Sequence, residues 1–392
     1  MTLFEDCSFF IMIALAIIPA FILGYFKKSQ KIYMLLLSLL FVTEALITDW
    51  KQILYFAAYL IIVIHVVKVY LLLRNKYGRN KVIYYHFLLL SLAPLLICKI
   101  SGLFQLSVFG FIGISYITFK VVQMVIEIYD GLIKEIKLFD VLNFFLFFPT
   151  FSSGPIDRSR RFTSDLNTIP ERDEYLKLAG QGLKKLMIGA VYKFAFSAVA
   201  YHFLTTVFSQ SYKPLYLIGY AYCYGIYMFF DFAGYSKMAV GISNLLSIKT
   251  PDNFKYPFIS VDMNDFWNRW HISLSQWFRD FVFSRFMMKS IHNKWFKNRL
   301  NGAAVGLIIN MLIMGLWHGL TSYYIIYGLY HGVLLALTEI YHKKSDFYKR
   351  NKDKKVYKIC SWFITLNLVM FGFLIFSGRA NEAVSVALNI LL

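Results

Sequence analysis

Asn301–Gly319 reads NGAAVGLIINMLIMGLWHG, a long apolar run that closes on Trp317, His318 and Gly319. Length and hydropathy of this kind signal a membrane span. Polar groups are costly in lipid and mark functional paths there. His318 is therefore either a helix-end imidazole at the membrane interface or a group in use. A second stretch, Phe266–Asp280 (FWNRWHISLSQWFRD), sets His271 among Trp267, Trp270 and Trp277, with Arg269, Arg279, Ser273 and Ser275 close by.

Working outward, 58% of the chain is hydrophobic and 19% aromatic, with a mean hydropathy of +0.55. Apolar runs recur from end to end, which excludes a soluble core in a polar surface and predicts an all-α polytopic membrane protein. The net charge of +19 is confined to short loops between spans. That pattern fits inner loops beside anionic lipid and not a nucleic-acid surface. Cys7, Cys98, Cys223 and Cys360 are scattered without CxxC or zinc spacing, so neither a disulfide framework nor a structural metal is expected.

Phe9–Phe26 lacks a basic leading segment and a small-residue cleavage site, and reads as the first span and not a removable signal. Glu5 and Asp6 precede it and Lys27, Lys28 and Lys31 come after it, which places the N-terminus outside. Further spans are expected at Ile32–Thr48, Gln52–Leu73, Val82–Ile97 and Gly102–Tyr129. The last of these carries Lys120 and Glu127 on one face, read as an interfacial lysine beside an inner-end acid, the alternative being a buried ion pair with some partner. Phe139–Phe151 is too short to cross and has basic flanks on both sides. It reads as a re-entrant hairpin or half-helix broken at Gly154–Pro155, with Asp157 placed to cap the next segment of the chain. Arg158–Lys185 reads as an inner loop with surface-helix character.

Leu186–Phe208 and Lys213–Phe232 form an out-and-back pair. Asp231 at the end of the second reads as a helix-end interface residue, the alternative being a catalytic one, and Ala233, Gly234, Gly241 and Ser243 beyond it permit close helix contact. In Ser247–Leu300, too polar to span, Phe266, Trp270, Leu274, Trp277 and Phe281 recur as the stripe of an amphipathic helix lying in the interface or tucked into the bundle floor. Asn301–Trp317, Tyr323–Tyr341 and Val356–Phe376 complete about ten spans. With the re-entrant element and interfacial helices they make a single helical-bundle domain over residues 1–392.

No GxSxG elbow, HExxH pair or P-loop is found, which disfavours serine-hydrolase, metalloprotease and nucleotide-driven chemistry. A neutral imidazole can act as general base toward a hydroxyl without any neighbouring motif. Asn310 lies two turns from His318, too far to share its chemistry, and His331 reads as structural. His65, His86, His202, His292 and His342 are placed at interfaces or in loops.

FWNRWHISLSQWFRDFVF (Phe266–Phe283) followed by LWHG (Leu316–Gly319) resembles the membrane-bound O-acyltransferase family, in the bacterial branch that includes alginate O-acetylases. GISYITFK (Gly113–Lys120) and DFAGYSKMAVGISNLL (Asp231–Leu246) are similar to that branch too. FPTFSSGPIDRSRRF (Phe148–Phe162) is similar to the family's D-alanyl transfer members, which modify teichoic acids. The resemblance implies that His318 is the catalytic histidine and His271 the second motif histidine. It implies a donor held as a thioester on the 4'-phosphopantetheine arm of a small acidic D-alanyl carrier protein in the cytosol, with no cofactor bound by this chain. It also implies a membrane-anchored D-alanyl transfer partner, lipoteichoic acid as final acceptor, and a place in the bacterial cell membrane.

An acidic carrier needs a basic, partly apolar inner dock. Phe281–Leu300 offers one around Phe283, Arg285, Phe286, Met287 and Lys289; the alternative use of this stretch is as a membrane anchor. Two other functions stay open at this point. One is O-acetylation of an exported polysaccharide, and the other is a transporter or flippase without covalent chemistry.

Overall fold

In the computed structural model the apolar runs fold as helices. The structure describes residues 3–47, 49–104, 106, 109–211 and 213–380, and no strand occurs among them. Thr48 at the end of the second expected span, three residues within Gly102–Tyr129, and the ends of the expected 1–392 domain lie outside the described residues. The chain divides into two compact units. One runs up to Ala190 and takes in Tyr235–Asp252; the other holds Val191–Gly234 and everything from Asn253 onward.

In the first unit, α1 (Cys7–Tyr25), α2 (Lys31–Leu46), α3 (Trp50–Tyr77) and α4 (Lys81–Leu103) precede α5 (Ile114–Asp130). Nearly every side chain of α5 is buried, including Lys120 and Glu127. Lys120 is thus not interfacial. Its ammonium donates to the Phe144 carbonyl at 2.8 Å and to Thr150 Oγ1 at 3.4 Å. Glu127 accepts from Ser159 Oγ at 2.8 Å and pairs with Arg160. A cation and an anion can be buried because each has these partners.

The short run expected to be re-entrant is α6 (Leu138–Leu146), then a 3-10 turn at Phe148–Thr150, then irregular chain to α7 (Ser159–Asn167). Asp157 does not cap α7, whose N-cap is Arg158 without a side-chain cap bond. Its carboxylate instead accepts from the Arg158 N–H and pairs with Arg161 one turn into the helix. Burial pushes that carboxyl up, and the Arg161 guanidinium pulls it back.

From Arg172 one continuous helix runs to Phe208. It comprises α8 (Arg172–Val191), a π turn at Tyr192–Phe196, α9 (Ser197–Phe203) and a second π turn at Leu204–Phe208. The helix expected from Leu186 therefore starts earlier, within the segment read as having surface-helix character. The reason is packing: Tyr175, Leu178, Ala179 and Gly182 are buried. A Cβ on Gly182 would stand 2.7 Å from the Gly241 carbonyl, so main chain meets main chain there. Gly241 lies on α10 (Pro214–Leu245), which does not stop at Phe232. Asp231 is thus mid-helix, and it pairs with Lys193 at 2.6 Å.

The second unit continues with α11 (Met263–Trp267), α12 (Ile272–Phe278), a π turn at Arg279–Phe283, and α13 (Ser284–His292). After these come α14 (Arg299–His318), α15 (Ser322–Lys344), α16 (Asp346–Asn351) and α17 (Lys355–Phe376). The expected single amphipathic helix is broken between Trp267 and Ile272. Its stripe faces inward all the same. Trp270 is packed by Phe266, Phe254 and Phe373 at ring separations of 5.7, 5.1 and 5.0 Å.

Six helices among the described residues are long and apolar enough to cross a membrane: α1, α3, α4, Arg172–Phe208, α14 and α17. Of the other expected spans, α2 and α5 are shorter, at 16 and 17 residues. Helices α10 and α15 have the length but are rich in tyrosine and glycine, which lowers their hydropathy.

Candidate active site

His271 sits in the break between α11 and α12. Asn253 pins that break: its carbonyl accepts from the Ile272 N–H at 2.8 Å, and its Oδ1 accepts from Ser273 Oγ at 2.6 Å and Ser273 N–H at 3.2 Å. A second tie joins Lys255 N–H to the Arg269 carbonyl at 3.0 Å. Held so, His271 takes φ 43° and ψ 53°, a left-handed conformation uncommon outside glycine, asparagine and aspartate. Such strain persists only where surrounding contacts over-determine it, and it clusters at functional sites. The imidazole is 4% exposed. It packs edge-on to Phe232 at 4.7 Å, and its Nδ1 has no hydrogen-bond partner among the described residues.

Burial pushes the His271 imidazole down to about 3, and the neighbouring His318 adds a smaller push the same way. An unfolded histidine titrates near about 6.5. Between these values the unfolded chain takes up a proton that the folded one refuses. Stability contributed by neutral His271 is therefore complete above about pH 6.5 and falls on acidification, by up to about 1.4 kcal/mol per pH unit. Thermal unfolding in detergent should drop more between pH 7 and pH 5 for the parent than for His271→Asn. Equal drops would contradict the assignment of a buried neutral imidazole.

His318 is the last residue of α14, and the Gly319 N–H closes the helix on the Gly315 carbonyl at 3.2 Å. The half-buried ring lies among Trp317, Phe376, Tyr324 and Tyr327, at 4.5, 5.0, 6.0 and 6.4 Å between centroids. Its depth is set by the α14–α15 contact. A Cβ on Gly328 would stand 2.6 Å from the Met311 carbonyl, and one on Gly332 would stand 2.8 Å from Ile308 Cα. The two helices touch through their backbones at these glycines. The two histidines, far apart in sequence, are thus brought into electrostatic contact within one unit.

Between their supporting helices lies a cleft of about 190 Å³, lined by Trp267, Ser275 and Gln276 on one side and Asn310, Met311 and Met314 on α14. Asn310 is 7% exposed, and its Oδ1 has no hydrogen-bond partner among the described residues; nor has Trp267 Nε1. Buried polar atoms left unpaired cost energy and call for an explanation. Sequence reasoning set Asn310 aside as too far from His318. Its register puts it with Met314 on the face of α14 that lines this cleft, whose lining includes neither histidine.

His331 is buried among Trp267, Tyr327 and Tyr330, at 5.3, 4.6 and 5.2 Å. His65, His86, His202 and His292 are exposed, and His342 faces Asp262 at 3.6 Å. Of the expected docking residues, Phe283, Phe286 and Met287 are half-buried and turn toward α14. The two rings cover Gly306, and the Met287 methyl lies near Gly302. Arg285 is half-buried, and Lys289 is exposed with its ammonium 5.7 Å from the Trp295 ring. The apolar groups that α13 and its extension expose are Met288, Ile291 and Trp295.

The family model for MBOAT, the membrane-bound O-acyltransferases, matches residues 43–378. The chain belongs to the membrane-bound O-acyltransferase family. It is an acyltransferase and a multi-pass membrane protein, which puts aside the transporter without covalent chemistry. Among its relatives, a teichoic acid D-alanyltransferase of Streptococcus thermophilus is 43% identical over 95% of this chain and 94% of its own. One of Bacillus subtilis is 38% identical over 97% and 98%. A probable alginate O-acetylase of Pseudomonas aeruginosa is 32% identical over 68% of this acyltransferase and 49% of its own length.

Proposed function

We propose that this acyltransferase moves D-alanine from a carrier-protein thioester to a hydroxyl acceptor, for the D-alanylation of teichoic acid. The observation that carries the reading is co-linearity with the two D-alanyltransferases over nearly the full length of both chains, where the alginate relative shares about two thirds. Both units then act as one acyltransferase domain in the bacterial cell membrane. The ten-span arrangement adds α2, α5, α10 and α15 to the six apolar helices, with the N-terminus outside.

The reaction needs little more than the site contains. The acceptor oxygen attacks the thioester carbonyl carbon while its proton passes to His318, a step worth about 10²–10⁴-fold when the base is well placed. The tetrahedral intermediate collapses, the C–S bond breaks, and the proton moves from the imidazolium to the leaving sulfur. An ester and a free 4'-phosphopantetheine thiol result. His271, held neutral beside this centre, supports the base. The unpaired Asn310 Oδ1 and Trp267 N–H suit the amide N–H and C=O groups of a pantetheine arm lying in the cleft.

The carrier, acidic and cytosolic, docks on the exposed face of α13 with Arg285 and Lys289 steering and Met288 in contact. A membrane-anchored partner completes delivery to lipoteichoic acid. Charge reversal at Arg285 and Lys289 is expected to slow carrier association and flatten its salt dependence. Met288→Asp should weaken the complex by about tenfold through lost apolar contact. Calorimetry in detergent, free of anionic lipid, reads both; unchanged affinity in both variants would leave this stretch a membrane anchor.

For the function itself, teichoic acid from a strain lacking this chain is analysed by mass spectrometry. Loss of D-alanine ester, restored by the parent gene, supports the reading. Unchanged D-alanine with a loss of acetyl ester on a polysaccharide would replace it.

A further inference from the structure

Away from the histidines, a groove of about 640 Å³ runs along α15 and α17 beside α16. Its side walls are apolar and open: Leu337, Ile364 and Val356 are 56%, 58% and 73% exposed. Its polar end lies where α15 and α17 meet the basic connection from Lys343 to Lys355. There the Tyr341 and Tyr357 hydroxyls stand 3.4 Å apart, and Asn351 and Lys354 complete the rim. From Tyr357 to Leu368 the groove tracks twelve residues of helix, a rise of about 16 Å.

Asp353 is exposed beside Lys354, and among the residues lining the groove the acid is Asp262. Its Oδ1 caps α11 by accepting the Asp265 N–H at 2.8 Å, and its Oδ2 faces His342 Nε2 at 3.6 Å. The carboxylate is thus turned to its own helix and to an imidazole, whereas Lys354 is exposed and forms no ion pair among the described residues. An apolar trough on two membrane helices, ending at a cation, two phenols and an amide, matches an acyl chain joined to a phosphate. Basic pockets between membrane helices recognise anionic headgroups in this way.

We infer that this groove is a specific site for one anionic phospholipid, with an acyl chain against Leu337 and Ile364 and its phosphate at Lys354. The inference does not depend on the identity of the acyl donor. The trough accounts for retention of lipid, and the rim for preference by charge. A generic belt of lipid would show neither one-to-one binding nor dependence on a single lysine.

The test uses the whole protein purified in mild detergent, with dioleoyl phosphatidylglycerol and dioleoyl phosphatidylcholine added as probes and bound lipid counted by native mass spectrometry. The parent is expected to keep one phosphatidylglycerol under conditions that strip phosphatidylcholine. Lys354→Glu should cut that retention by about fivefold or more, the worth of one lysine near an anionic lipid. Thr338→Trp, which fills the groove, should abolish it, and Lys81→Glu on α4 should leave it intact. Equal retention of the two lipids by the parent overturns the site. So does equal loss in Lys81→Glu and Lys354→Glu, which would reduce the effect to surface charge. If Thr338→Trp fails to fold, the exposed Lys354 and Lys81 variants decide between these outcomes.

Discussion

Replacing His318 with alanine is expected to lower acyl transfer by about 10²–10⁴-fold while the protein still folds and binds its carrier. The ring is half-buried at the end of α14 and meets its neighbours through aromatic contacts. Its removal opens space near the helix end, and the α14–α15 backbone contact below it stays in place. Thermal unfolding should therefore move far less than activity does. A variant that keeps more than a few per cent of parent activity would show that the base lies elsewhere. His271→Ala should also lose activity, together with some stability, because its turn is strained and its ring buried.

The second large effect is expected at Gly328. Gly315 and Gly328 face each other so closely that a Cβ on one stands about 3 Å from the Cα of the other. Gly328→Leu must drive four carbons into the Met311 carbonyl and the α14 backbone, with no flexible side chain to give way. Overpacking of this kind costs about 3 kcal/mol or more and lowers the unfolding temperature by about 6–12 °C. Because α14 carries both Asn310 and His318, activity should fall with stability. Gly180→Leu is the control, since nothing lies within 4 Å of a Cβ there. Similar losses from both substitutions would mean that the α14–α15 contact has no special role.

Residue patterns reveal much of this architecture. The apolar run before His318 does become α14, the aromatic stripe from Phe266 is buried, and small residues such as Gly241 do sit at a close helix contact. What stays hidden is where the chain breaks and what satisfies its polar groups. The turn at His271 depends on Asn253, nearly twenty residues upstream, through bonds that periodicity cannot reveal. Lys120 looks interfacial until the Phe144 carbonyl and Thr150 are folded against it. Asp231 looks like a helix end because aspartate is costly in a span, yet Lys193 meets it in mid-helix. Hydropathy separates α1 or α17 from the loops but grades the tyrosine-rich α10 and α15 ambiguously, because a phenol is part apolar ring and part polar hydroxyl.

The candidate site divides in the same way. Both histidines stand out in sequence because each closes or interrupts an aromatic, apolar segment. Asn310 and Trp267 do not, since their significance is an unpaired polar atom facing a cleft, which is a property of the folded chain. The face proposed for docking is legible in its charge but not in its rotation. The helix turns Phe283, Phe286 and Met287 inward and leaves Met288 and Ile291 outside.

The central claim, that His318 drives transfer of D-alanine from a carrier thioester to an ester, is tested most directly by following the thioester itself. Membranes from a strain lacking this chain are supplied with the parent or with His318→Ala at equal, folded amounts. Carrier protein loaded with isotopically labelled D-alanine is added on the cytosolic face, and label is counted on the carrier and in membrane-bound ester over time. The account predicts that the parent empties the carrier into ester, while with His318→Ala the label stays on the carrier as it does without the chain. Discharge into ester at the parent's rate by His318→Ala would contradict it.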